Sequence, residues 1–139
     1  MHRVVSVSTG AHKYLQQISV GTHRLHADEP VEIGGRDAAP DPYELLMGAL
    51  GACTAITVQL FADRRSWPLE KVHVRLSHGK THAHDCINCN SGDAKLDRVE
   101  LEISFEGDLT DEQRRKLVEI AGRCPLHRTL ESGLQLQIR

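Results

Sequence analysis

The segment from Pro42 to Asp63, PYELLMGALGACTAITVQLFAD, is the longest weakly charged run of the chain, and its only charges, Glu44 and Asp63, sit near its ends. Leu46, Leu50, Cys53, Thr57 and Leu60 recur at the three- and four-residue steps of one helical face, and Leu45, Ala49, Ala52 and Ile56 fill a second face beside it. A helix apolar on most of its circumference has to be covered on most sides. Gly48, Ala49, Gly51 and Ala52 crowd one short stretch. Each glycine costs about 1 kcal/mol of helix propensity unless close packing offsets it. The pattern predicts a core helix with another backbone lying against it, and Cys53 stands in that tight neighbourhood.

With 139 residues the chain is the size of one ordinary domain, and a single domain over 1–139 is expected. The net charge of −2, from 17 basic and 19 acidic side chains mixed along the sequence, offers no stripe for nucleic acid. No uninterrupted apolar run reaches the roughly 18 residues of a membrane span, and MHRVVSVSTG lacks the apolar centre of a signal peptide. The expectation is a cytoplasmic protein with no membrane or nucleic-acid partner. In a reducing compartment its four cysteines point to catalytic, redox or metal roles rather than structural disulfides.

Val4 to Ser8 alternate, and Ile18 and Val20 continue at strand spacing, punctuated by Gly10 and Gly21, which reads as an antiparallel hairpin or meander. Ala27 to Pro40 is a loop with one short extended piece at Val31 to Ile33. Asp41 is an N-cap and Pro42 the first helical residue of the core helix. Pro68 prevents that helix from continuing. Val72, Val74 and Leu76 form one alternating strand, and Val99, Leu101, Ile103 and Phe105 another. Thr110 and Gln113 have the form of a capping box, opening a helix that buries Leu117, Ile120, Ala121 and Cys124. Leu134, Leu136 and Ile138 predict a last strand. Hairpin connections imply antiparallel pairing, so the fold class is α+β rather than a doubly wound parallel sheet.

Two cysteines fall on these helices. Cys53 is in mid-helix, and Cys124 precedes Pro125, which can open a further short helix through Leu130. A cysteine at a helix N-terminus meets the positive end of the dipole, which favours its thiolate, and His127 and Arg128 add positive potential. If the helices pack, Cys53 and Cys124 form a buried dithiol suited to peroxide chemistry: one thiolate becomes a sulfenic acid and the other condenses with it. The alternative is two separate buried cysteines acting as small hydrophobes. Spacing alone favours the capping cysteine as nucleophile.

The stretch Asp41-Pro-Tyr-Glu-Leu-Leu-Met-Gly-Ala-Leu-Gly-Ala-Cys53-Thr, with Cys124-Pro-Leu-His-Arg-Thr-Leu130, resembles the OsmC/Ohr family of osmotically inducible and organic hydroperoxide resistance proteins. The resemblance runs from about Gly35 to the C-terminus. It implies antiparallel sheets enclosing two core helices in an intertwined homodimer. It also implies thiol-dependent reduction of organic hydroperoxides, with Cys53 as the attacking residue, Cys124 as the resolving one, and lipoyl groups or small thiols as the external reductant. No cofactor or metal is implied. Family peroxidases carry a Glu directly after the Pro that opens the core helix, paired with an Arg from the N-terminal strands. Here that position is Tyr43, and the carboxylate comes one residue later as Glu44, about 100° around the helix. Arg24 and Arg36 are candidates for the arginine, and Arg36 lies in the loop leading into the core helix. The sites expected are therefore Cys53, Cys124, Glu44 and Arg36. The alternative is a non-enzymatic or weakly active stress or binding protein with the same fold.

His82, His84, Cys86 and Cys89 offer zinc-compatible ligand types, but all within one short loop, where structural sites usually gather pairs from separate segments. A metal, a Cys86–Cys89 disulfide and free thiols all stay open for them. His73 and His78 read as surface histidines, Gly34-Gly35-Arg36-Asp37 as a loop, and Trp67 with Pro68 as a plug at the end of the core helix.

Overall fold

A computed structural model describes residues 2–82 and 95–139. The chain forms two compact units, Met1–Leu46 and Met47–Arg139.

In the N-terminal unit, β1 (Val5–Thr9), β2 (Gln16–Val20) and β3 (His23–Ala27) form the expected antiparallel meander, with Val7 opposite Ile18 and Ile18 opposite Leu25. Gly21, at a φ of 57°, makes the turn between β2 and β3. The loop after β3 departs from the expectation of an extended piece. Val31–Ile33 is one turn of 3-10 helix, closed by Gly34 in the left-handed region at φ 106°. The cause is Asp28, 2% exposed, whose carboxylate accepts the backbone N–H groups of Glu29 (2.8 Å), Ala38 (3.0 Å) and Arg36 (3.3 Å). A buried carboxylate needs such donors, and gathering three of them folds the loop back on itself. Gly35 is obligatory in this wrap, since a Cβ there would lie 1.9 Å from the carbonyl oxygen of Glu29.

Helix α1 (Pro42–Arg64) starts as the sequence predicts. The Asp41 carboxylate accepts from the Glu44 N–H at 2.8 Å, and the Glu44 carboxylate accepts from the Asp41 N–H at 2.9 Å, a reciprocal cap. From Met47 onward α1 belongs to the second unit.

There α1 lies on the antiparallel hairpin of β4 (Leu69–His82) and β5 (Lys95–Gly107). Val72, Val74 and Leu76 oppose Phe105, Ile103 and Leu101, as their alternation requires, with one irregularity between Leu69 and Lys71. At the start of the hairpin Gly107, φ 140°, comes so close to Pro68 that a Cβ would stand 2.1 Å from its carbonyl oxygen. Val58, Ala62, Leu69 and Leu117 make the core, packed against Phe61, Trp67, Val72, Ile103 and Phe105. Trp67 meets Phe61 edge to face, with ring centres 5.5 Å apart, at the end of α1. Helix α2 (Asp111–Ala121) carries the full Thr110–Gln113 capping box and contributes Leu117 and Ile120 to the interior. Helix α3 (Pro125–Ser132) follows at once. His73 pairs with Glu106 across the hairpin, and His78 with Asp97 at 2.9 Å.

Two further features differ from the sequence reading. Leu134, Leu136 and Ile138 form no strand, and they are 63%, 85% and 100% exposed. Alternation prepares a strand, but a strand exists only where another backbone edge supplies its hydrogen bonds. Helix α1 is covered on one side only. Leu50, Gly51, Thr54, Val58 and Ala62 are buried, whereas Ile56 and Leu60 remain 59% and 49% exposed. By length and composition alone this 23-residue helix could cross a membrane, although the sequence shows no uninterrupted apolar run of that length. Its buried stripe is the floor of the core.

Candidate active site

Cys53 sits on α1 between the buried stripe and the open face, and it is partly accessible. Its neighbour Thr54 points into the interior, 2% exposed, and donates its hydroxyl to the Leu50 carbonyl at 2.8 Å. Cys124 is fully buried and caps α3, where Pro125 occupies the first turn and has no N–H to offer. Both cysteines are free thiols.

The structure brings them together: the side chains of Cys53 and Cys124 interact directly. Their surroundings are unequal. Burial pushes the Cys53 thiol up, and the Cys124 sulfur pushes it further, while the Leu126 backbone N–H and the Thr57 hydroxyl compensate only in part. Burial also acts to raise Cys124. There it is outweighed by the Cys53 thiol, the backbone N–H groups of His127 and Leu126, and the Thr54 hydroxyl, so the net direction is downward. The Cys124 sulfur closes no regular capping hydrogen bond. The His127 and Leu126 amides at the open start of α3 face it and favour its charged form. Cys53 is thus the accessible thiol of the pair, held above the ordinary thiol value, and Cys124 the buried one, held below it.

An apolar cavity of about 170 Å³ is lined among others by Thr54, Leu101, Ile103, Val118 and His127; neither cysteine lines it. The His127 imidazole is engaged with Glu131 at 2.8 Å. Thr54, Thr57 and the Leu126 and His127 amides were not singled out from sequence. The placement of Thr54 and Thr57, adjacent to Cys53 and one turn beyond it, was the available signal.

The other expected site residues belong to the N-terminal unit. The Glu44 carboxylate holds the Asp41 N–H in the cap of α1. Arg36 is exposed, and its Nη1 lies 2.9 Å from His12 Nε2. Arg24 donates to the Gly21 and His23 carbonyls, both at 2.9 Å, and so serves the β2–β3 turn. Tyr43 is exposed. His84, Cys86 and Cys89 lie outside the described residues, as does the side chain of His82. Among the described residues no group of three or more His, Cys, Asp or Glu could hold a metal ion.

The family model of the OsmC-like proteins matches residues 34–139, a span that contains both cysteines. An OsmC-like protein from Mycoplasma pneumoniae has a similar structure, with a TM-score of 0.73 at 14% identity, over 94% of this chain and 88% of that one. So has an organic hydroperoxide resistance protein OsmC from Legionella pneumophila, with a TM-score of 0.66 at 19% identity, over 92% and 88%. An organic hydroperoxide resistance protein from Elizabethkingia anophelis also matches, with a TM-score of 0.66 at 17% identity, over 92% and 86%. No curated protein sequence matches the chain significantly. With a mixed α+β architecture of antiparallel sheets and helices, and a family model spanning most of its length, this chain belongs to the OsmC-like family.

Proposed function

We propose that the protein is a thiol-dependent peroxidase that reduces organic hydroperoxides, using Cys53 as the attacking residue and Cys124 as the resolving one. The observation that carries this reading is the direct contact of two free thiols far apart in sequence, one accessible and one buried. Attack by Cys53 on the O–O bond yields a sulfenic acid and an alcohol, and condensation with Cys124 yields a disulfide and water. The apolar cavity that Thr54 and His127 help to line, next to the cysteines in sequence, speaks for an organic peroxide over hydrogen peroxide. Membership of the OsmC-like family, with hydroperoxide resistance proteins among its structural neighbours, agrees. An external dithiol, a lipoyl group or small thiols, would return the disulfide to two thiols, which suits the cytoplasm. Arg36 and Glu44 remain the proposed activating pair on the strength of the resemblance. The exposed apolar face of α1 and the unpaired Leu134–Ile138 alternation favour a homodimer that covers both.

The deciding experiment supplies cumene hydroperoxide and dithiothreitol to the parent and to Cys53→Ser. Turnover is expected in the parent and its loss in the variant; equal rates would remove the enzyme reading. A second reading, a weakly active stress or binding protein, draws support from Tyr43 at the family Glu position and from the use of Glu44 as a helix cap.

A further inference from the structure

Within the N-terminal unit, the turn between β1 and β2 and the loop after β3 enclose a cavity of about 360 Å³, lined among others by His12, Lys13, Tyr14, Gly34 and Arg36. Both walls are fixed by hydrogen bonds of their own. In the turn, the Gly10 N–H donates to the Leu15 carbonyl at 2.7 Å and the Leu15 N–H to the His12 carbonyl at 3.1 Å. In the loop, the Asp28 carboxylate gathers the amides of Glu29, Arg36 and Ala38. Gly34 lets the Tyr14 ring come so near that a Cβ there would stand 3.2 Å from Tyr14 Cε2.

The cations in this frame have poorly matched partners. Arg36 Nη1 lies 2.9 Å from His12 Nε2. A guanidinium has donors only, so the ring presents a lone pair at Nε2, and the imidazole in this contact is neutral with its proton on Nδ1. That is one acceptor, whereas the planar fork of an arginine matches the two oxygens of a carboxylate. The Lys13 ammonium lies 4.8 Å from the centre of the Tyr14 ring. Among the described residues neither cation forms an ion pair with a carboxylate. Asp28 also lines the cavity, but it is 2% exposed and its oxygens already accept three amides.

We propose that this cavity binds a small organic carboxylate, with its oxygens on the Arg36 guanidinium beside Lys13 and its apolar part against the Tyr14 ring, and that His12 takes up a proton as it binds. The volume lies at the low end of the roughly 300–1,000 Å³ of ligand pockets, which fixes the ligand as small. Once the carboxylate occupies the guanidinium, His12 Nε2 loses its donor and faces an anion. A protonated ring then has an N–H to give to a carboxylate oxygen. Of the other charges around the ring, Arg36 and Lys13 oppose a further positive charge and Asp28 favours one; Tyr14 is the remaining titratable group on the wall. The anion moves that balance toward the protonated ring, and by reciprocity the protonated ring binds the anion more tightly. Neither cysteine takes part, so the binding is independent of the peroxidase reading. Because Arg36 is also the arginine offered above as an activating residue, the test reads binding directly and not through turnover.

Isothermal titration of the full chain uses benzoate as the probe, with acetate and inorganic phosphate for comparison. One benzoate per chain is expected, bound more tightly than either. Benzoate stays ionised from about pH 6 to about pH 8, yet its affinity should be greater at the lower value, with proton uptake read from the dependence of the heat on the buffer. Arg36→Gln should weaken binding by about 10- to 100-fold, and Arg36→Lys should recover only part of that loss because the fork is gone. His12→Gln keeps an acceptor for Arg36, so it should bind like the parent at the higher pH and lose the gain at the lower one. Arg115→Gln, at an exposed arginine of the other unit, should bind like the parent and controls for diffuse attraction. Circular dichroism confirms that each variant is folded, and if Arg36→Gln is not, the pH profile of His12→Gln beside the parent decides. The proposal is overturned by the absence of saturable benzoate binding, by equal affinity in a folded Arg36→Gln, by acetate or phosphate binding as tightly as benzoate, or by a parent-like pH profile in His12→Gln.

Discussion

Leu76 on β4 fills the space in which a side chain at Gly51 would stand: a Cβ built on Gly51 lies 2.8 Å from Leu76 Cδ1. Helix and hairpin are in contact there through the absence of a side chain, but what lies against Gly51 is a leucine side chain and not the backbone expected from the cluster of small residues, and among the described residues nothing stands within 4 Å of a Cβ at Gly48. Gly51→Val should lower stability by about 1–3 kcal/mol through overpacking. Gly51→Ala should cost less, because the helix-propensity gain of about 1 kcal/mol offsets part of the clash. Urea unfolding of the two variants beside the parent measures both, and a Val variant as stable as the parent would contradict the packing.

The Asp28 carboxylate is held below its ordinary value of 3.8, first by the Ala38 N–H, then by that of Glu29, with the Arg36 N–H and the nearby His12 assisting against the opposing effect of burial. A depressed carboxyl contributes stability that is present above its unfolded value and lost as the pH falls through the folded one. Amide hydrogen exchange at Glu29, Arg36 and Ala38 should therefore stay slow down to about pH 4, the unfolded value, and accelerate below it. Asp28→Asn should exchange faster at neutral pH and lose that acid dependence. An unchanged profile in the variant would show that the loop does not depend on the charge.

Cys53 is raised above the ordinary thiol value of 9.0, chiefly by burial and then by Cys124. Its neutral form is the one the fold favours, so this contribution is present below the unfolded value and fades as the pH climbs through the folded one. Iodoacetamide should label Cys53 more slowly in native than in unfolded protein, with a rate still rising above pH 9.0. Cys124, fully buried, should be labelled only on unfolding. Peptide mass mapping reads the two sites separately, and early labelling of Cys124 would reverse the assignment of access.

If the open face of α1 is covered by a second copy, Ile56→Glu removes apolar burial worth about 1.5–3 kcal/mol and adds a charge. The dimer should weaken by at least about tenfold. Analytical ultracentrifugation over a concentration series follows the shift, with the exposed Asp108→Asn as a surface control. A parent that is monomeric throughout would dispose of this prediction.

Local chemistry was the most readable part of the chain. Asp41 with Pro42, and Thr110 with Gln113, announce helix starts through groups no more than three residues apart, and both caps form. The alternation of Val72 to Leu76 against Leu101 to Phe105 likewise announces which face is buried. What escaped depends on distant partners. Val31 to Ile33 looks extended, but the shape of that loop is decided by a carboxylate at Asp28 collecting amides as far on as Ala38. The Leu134–Ile138 pattern states a readiness to pair without saying with what. The meeting of Cys53 with Cys124 was suggested by a family resemblance, since two helices with cysteines do not by themselves say that the cysteines touch. Thr54 was passed over because a threonine in an apolar helix reads as filler until a sulfur is found against it.

The near-touching backbones of Gly107 and Pro68 have a consequence for how the long hairpin is aligned. They act as a mechanical stop at one end, from which every later pair from Lys71 with Glu106 to His82 with Lys95 takes its count. A slip of one position would turn Val72, Val74 and Leu76 outward and bring His73, Arg75 and Ser77 under the helix. Any side chain at residue 107 moves that stop, so the damage from so small a change would spread along both strands instead of staying at the bend.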